Sequence, residues 1–253
     1  MVMTSYSVIG ERPRVALDDI ETFPFCSPEQ HPNRSVAERV VSEATRLMGE
    51  IQKATTAAKY AAQTAKLYDQ VYDYFELSEA ERLLVQGTVD VVAKSIQPPD
   101  YLRLATPLLH RPSSDEVKLY ANALAAELSR WRTRNGGAGA LEVTAVVENK
   151  DGFFGAVQVK LSAKSEDRVS VSSSDSAFHH LLRELQASHQ IQADSSDAED
   201  LFKIPNVMVV AGDAFFFVKP MRRRFWLERS ALADADHIVQ TVHSAAWAAQ
   251  RNK

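Results

Sequence analysis

The apolar positions change their period partway along the chain. From Ala44 they recur in steps of three and four, through Leu47, Ile51, Ala54, Ala58, Ala61, Ala65, Tyr68, Tyr72 and Phe75. Such a run is a heptad seam on a helix. Ser35, with Glu38 three residues on, has the capping-box spacing. The pattern therefore predicts one helix over 35–76, about 60 Å long at 1.5 Å per residue. The middle of the seam is alanine, which lets another helix come close but buries little area. A lone helix of this kind gains little from burial, so the seam predicts a neighbour, with Ala54, Ala58, Ala61 and Ala65 at the helix interface. An intramolecular bundle or a helix of another chain would supply it.

Two further helices follow. Ser78 with Glu81 opens one whose apolar side is Leu84, Val85, Thr88, Val91, Val92 and Ile96, and Pro98-Pro99 ends it. Ser113 or Ser114 opens the next, with Val117, Tyr120, Leu124, Leu128 and Trp131 as its stripe. "NGGAG" stops it at 135–139.

Beyond that glycine cluster the period becomes two. "LEVTAVVEN" and "FFGAVQVKLSA" alternate on either side of Asp151-Gly152, which predicts a β-hairpin. "DRVSVSSS" adds a third strand, and "DSAFHHLLRELQAS" is a helix capped by Asp175 or Ser176. "NVMVVAGDAFFFVKP" is a second hairpin turning at Gly212-Asp213. The last helix begins near Ser230 and buries Ala231, Ala235, Ile238, Val242, Ala245 and Ala249. Strands joined by tight turns argue for a mainly antiparallel sheet. The expected class is α+β, with a helical N-terminal half followed by a sheet with flanking helices. The expected division is an extended arm over 1–34, a helical domain over 35–134 and an α+β domain over 140–253. Pro13, Pro24, Pro28 and Pro32 keep the arm out of helix.

Composition narrows the partners. Across 253 residues, 29 Lys and Arg stand against 33 Asp and Glu, a net charge of -4. Any nucleic-acid contact must then be local. Cys26 is the only cysteine, which excludes an internal disulfide and fits a reducing, cytoplasmic setting. No stretch approaches the ~20 apolar residues of a membrane span, and the first residues lack the apolar run of a signal peptide.

The chemistry-bearing motifs are mostly missing. "GGAGALEV" follows a helix and precedes a strand, the reverse of a phosphate-binding loop, and no Walker sequence occurs. There is no G-x-S-x-G elbow. One cysteine and scattered histidines supply no zinc set, and the cluster Asp234, Asp236, His237 and His243 is expected to be polar helix surface. No cofactor and no metal are expected. One enzymatic alternative stands beside this: Asp151, then Gln158-Val159-Lys160 on the next strand, resembles a restriction-endonuclease-like nuclease motif with Gln in place of an acid. Gln158 and Lys160 would share a strand face. In such a nuclease the acids hold a divalent metal and the lysine orients the attacking water. The competing reading is an ordinary exposed strand face.

Two segments resemble the C-terminal region of large bacterial DNA adenine methylases from restriction-modification and phage-defence loci. They are "YDYFELSEAERLLVQGTVDVVAKSIQPP", 72–99, and "FFFVKPMRRRFWLERSALADADHIV", 215–239. In the second, a strand ending in Lys-Pro meets an Arg-aromatic element and an Ala-Asp-Ala-Asp helix. The resemblance carries no catalytic or cofactor motif. It implies a detached, non-catalytic accessory subunit that binds a larger protein of the same system, with DNA as a second contact. Self-association is the other outcome an alanine seam allows. Lys219, Arg222, Arg223, Arg224, Trp226 and Arg229 are the candidate nucleic-acid or partner contacts.

Overall fold

The computed structural model describes residues 26–93, 108–148, 152–162, 166–187 and 207–251. Residues 1–25 of the expected arm lie outside these. The chain forms two compact units, 1–101 and 102–253. This moves the expected boundary at 135–139, because the helix before the glycine cluster belongs with the sheet.

In the first unit the single long helix becomes a hairpin. Helix α1 spans Arg34–Gln52 and α2 spans Ala57–Tyr74. Thr56 caps α2, its side chain accepting from the Lys59 amide. The cap of α1 is Asn33, not Ser35. Folding back lets Ala37, Val40 and Tyr74 bury against one another, with Leu47 also buried. A straight helix could not bury its seam on itself. The open end is tied by His31, whose Nε2 lies 2.7 Å from the Tyr74 carbonyl, and by the Tyr74 hydroxyl, which donates to the Cys26 carbonyl at 2.6 Å. Helix α3, Glu79–Gln86, opens on the expected Ser78–Glu81 capping box and continues as a π-helical turn over Gly87–Ala93.

In the second unit helix α4, Ser114–Arg134, opens on a Ser113–Glu116 capping box. It leads into strands β1, Ala140–Val147, β2, Phe154–Ser162, and β3, Arg168–Ser173. Helix α5, Asp175–Ala187, precedes β4, Val207–Ala211, and β5, Ala214–Pro220. A 3-10 turn, Arg223–Phe225, then enters helix α6, Glu228–Arg251. The sheet order is β3-β1-β2-β5-β4. Both expected hairpins form, β1 with β2 and β4 with β5, and β2 pairs β5 antiparallel as well. β3 departs from the antiparallel expectation and lies parallel to β1. Among the described residues there are six helices and a five-stranded mixed sheet, so the α+β class holds.

Alternation gives the sheet two faces. Phe178 and Leu181 of α5 pack on one, against Val146, Ala156, Phe216 and Val218. Helices α4 and α6 pack side by side, with α4 against β1. They run the same way along the chain: Tyr120 meets Asp234, and further on Trp131 meets His243.

Candidate functional site

The segment that raised the nucleic-acid question divides into a buried part and an exposed part. Lys219 is the next-to-last residue of β5 and is 1% exposed. It points between α4 and α6, where its ammonium donates to the Asp234 carboxylate. It also donates to the Phe225 carbonyl at 2.9 Å and sits 4.0 Å from the centre of the Tyr120 ring. The Tyr120 hydroxyl donates to the same Asp234 oxygen at 2.6 Å. Trp226 is fully buried beside them, its indole N–H donating to the Pro220 carbonyl at 2.9 Å. Gly155 makes room for it, since a Cβ there would come within 2.7 Å of the indole.

This network corrects three expectations. Lys219 and Trp226 are interior groups and cannot touch a nucleic acid or a partner. Asp234 is not helix surface, because the α6 stripe turns it inward to the lysine. Burial pulls the Lys219 ammonium below its ordinary pKa, with Asp234 acting in the other direction. Burial, reinforced by Asp234, pushes the Tyr120 phenol well above its own. A buried pair is kept only where every member is hydrogen-bonded, which the tyrosine and the Phe225 carbonyl provide.

The arginines split. Arg223 forms an ion pair with Glu116 of α4, and its amide donates to the His110 carbonyl at 2.7 Å. Arg223 is therefore a tie between the turn and the start of α4. Burial raises the Glu116 carboxyl, but the Ser113 amide and Arg223 outweigh it, and the net pKa is lowered. Arg224 is exposed and stacks over Phe225, 4.6 Å from the ring centre, while its amide donates to the Leu108 carbonyl at 3.0 Å. Arg222 is exposed, and Arg229 is half-buried. The basic surface that remains is thus Arg222 and Arg224, beside His110 and the 66%-exposed Phe153, whose carbonyl accepts from the Met221 amide. Sequence reasoning missed Arg111, which donates to the carbonyls of Glu148 and Gly152 and braces the ends of the first hairpin's turn. Its signal was only a basic residue before Pro112.

The nuclease alternative has a partial footing. Gln158 and Lys160 do share a face of β2, and Lys160 lies 3.7 Å from Glu142 across on β1. Asp151 lies outside the described residues. Among the described residues no three His, Cys, Asp or Glu side chains converge to hold a metal ion. What stands there is one Glu–Lys pair beside Gln158 and the Ser170–Thr144 hydrogen bond.

The alanine seam is placed differently from the expectation. Ala54 lies in the turn between α1 and α2, and Ala58, Ala61 and Ala65 are exposed on α2. At about 100° per residue, the residues facing across the hairpin fix the direction of each helix. Arg39 then falls to one side with Asp73, 3.5 Å away, and Glu43 falls there with Lys66, whose charge helps lower its pKa. Hydrogen bonding from Arg46 is the larger cause of that shift. About a quarter turn to the other side lie Val41 and Met48 of α1. Tyr60 and Val71 of α2 lie on that same side, and Ala61 and Tyr68 continue it outward. Val41, Met48, Tyr60, Tyr68 and Val71 are each more than two-fifths exposed. The hairpin therefore has a charged face held by ion pairs and an exposed apolar face.

Among the described residues no helix is long and apolar enough to cross a membrane. Compared with known protein families, curated proteins and solved structures, the chain matches none.

Proposed function

We propose that the chain is a non-catalytic accessory subunit that binds a larger protein through the apolar face of its α1–α2 hairpin. The observation that carries this reading is the two-sidedness of that hairpin. Exposed Val41, Met48, Tyr60, Tyr68 and Val71 surround small Ala61 on one side, opposite charged residues that already satisfy one another. Exposed apolar patches of this kind on a folded surface mark association sites. Alanine at the centre suits close approach by a helix, with tyrosines as anchors. The resemblance of 72–99 and 215–239 to methylase C-terminal regions supports a bacterial DNA-modification or anti-phage complex as the setting. In that setting Arg222 and Arg224 are the DNA contact.

The test is purification of the tagged full chain from its own host. The expected result is a stoichiometric larger protein bearing DNA adenine methylase motifs. Ala61→Glu with Tyr68→Glu should release that protein, and Arg39→Ala with Glu43→Ala should retain it. A chain that purifies alone, or as a dimer of itself disrupted by the same substitutions, overturns the proposal.

A further inference from the structure

Between the later turns of α4 and α6 and the sheet lies a cleft of about 320 Å³ that the proposed assembly does not use. Strand alternation fixes what lines it. On β2, Gly155 faces Trp226, so Val159 and Leu161, at even steps from it, face the helices as well. Their register partners, Phe215 of β5 and Leu141 of β1, share that side. Leu128 and Trp131 of α4 with Ile238 and Val242 of α6 complete the walls. Leu128, Leu141, Val159 and Ile238 are buried, Trp131, Phe215 and Val242 are half-buried, and Leu161 is 59% exposed. The cleft is therefore closed inward and open beside Leu161. Its volume is at the lower end of small-molecule sites, roughly 300–1,000 Å³. It is far larger than the packing gaps that interiors tolerate.

The two cations beside the cleft are engaged elsewhere. Lys160 projects from the opposite face of the sheet, where it lies 3.7 Å from Glu142. Arg132 donates to the Gly139 carbonyl and lies 3.4 Å from Asp167. Asp167 in turn accepts from the Leu141 amide at 2.7 Å and from the Ser129 hydroxyl. Those bonds shape the lip before any ligand arrives, which lowers the ordering entropy lost on binding. Asp213, exposed in the β4–β5 turn, is the lining charge outside these pairs, and its sign opposes an anion.

We infer that this cleft binds an uncharged, ring-fused aromatic molecule. Walls this apolar offer a water few hydrogen bonds, so an apolar body displaces little that must be satisfied again. Trp131 and Phe215 give an aromatic ligand ring contacts beyond the area it buries. A carboxylate there would lose hydration without a counter-charge in return.

The probe is 2-naphthol, uncharged at neutral pH, titrated into the full chain with methyl-labelled Leu, Val and Ile. Shifts are expected at Leu128, Leu141, Val159, Leu161, Ile238 and Val242 and not in the α1–α2 hairpin. 2-Naphthoate, the same rings with a carboxylate, should bind about tenfold more weakly, ~1.4 kcal/mol. The saturated analogue 2-decalol should also bind more weakly. Leu161→Trp fills the mouth from an exposed position, and should weaken 2-naphthol binding about tenfold at unchanged melting temperature. No shifts at millimolar probe, shifts confined to the hairpin, or binding indifferent to Leu161→Trp would each overturn the inference. So would 2-naphthoate, 2-decalol or the cationic 2-naphthylmethylamine binding as tightly as 2-naphthol. Shifts of the same methyls with protein concentration alone would overturn it too, since a second copy would then fill the cleft.

Discussion

Lys219 and Asp234, fifteen residues apart in the chain, form an ion pair inside the second unit with almost no exposure of either side chain. The pair joins β5 to α6, and through the Phe225 carbonyl it also holds the turn between them. The Lys-Pro, Arg-aromatic and Ala-Asp-Ala-Asp elements, which are separate stretches in the sequence, are thus parts of one buried network. Lys219→Met or Asp234→Leu alone should destabilise the unit by about 3–5 kcal/mol, because each leaves an uncompensated buried charge. Lys219→Met combined with Asp234→Leu should recover much of that loss. Denaturant melts of the single and double variants measure both, and additive losses in the double variant would show that the two groups do not act as a pair.

The Tyr120 phenol gives the stability a marked alkaline dependence. Its folded pKa is raised above the ordinary value of about 10, so the folded state keeps a proton that the unfolded chain loses. Stability is present below pH 10 and falls as pH rises beyond it. Lys219 acts with the opposite sign. Its folded pKa is lowered, so stability rises with pH up to the ordinary lysine value of about 10.5. Tyr120→Phe should be less stable than wild type near neutrality by about 1.5–3 kcal/mol, the lost hydrogen bond to a charged carboxylate. The difference between the two proteins should shrink above pH 10. A constant difference in denaturant melts across that range would show that the phenol does not titrate with unfolding.

Ala58→Glu with Ala61→Glu tests the hairpin directly. A seam packed inside the chain would lose its fold on this change. Because both alanines are exposed on α2, the variant should keep its melting temperature within a few degrees, surface changes being worth about 0.5 kcal/mol. Loss of the larger partner with an intact melt is the expected outcome. A collapsed melt would mean that the seam is covered within the chain after all.

The arginines of the 3-10 turn should separate by role. Arg222→Ala with Arg224→Ala should leave the melt near wild type and reduce the salt slope of DNA binding by about two phosphate contacts. Arg223→Ala should leave the slope near wild type and lower stability, since Glu116 loses its ion-pair partner and keeps only its capping bonds to Ser113. Filter binding of the complex with duplex DNA at several salt concentrations measures the slope. An unchanged slope in the Arg222, Arg224 variant excludes DNA at this site.

Local patterns in the chain were sufficient for the starts of α3 and α4 and for the two antiparallel hairpins. Ser78–Glu81 and Ser113–Glu116 open helices because a hydroxyl and a carboxylate at that spacing satisfy amides within one turn, with no help from elsewhere. The two antiparallel hairpins followed from alternation and turn residues, which are equally local. Tertiary structure decided the rest. The heptad run 44–75 reads the same for a straight helix and for two halves folded together. Only the burial of Leu47, Val40 and Tyr74 across the hairpin selects the break at 53–56. The parallel placement of β3 beside β1 skips over β2 in the sequence, which no local pattern encodes. The sharpest case is "KPMRRRFW": a lysine or tryptophan looks alike in sequence whether it faces solvent or the core. Here the parallel packing of α4 beside α6 brings Tyr120 and Asp234 to Lys219, and that desolvated pairing takes the lysine out of the basic patch and into the interior.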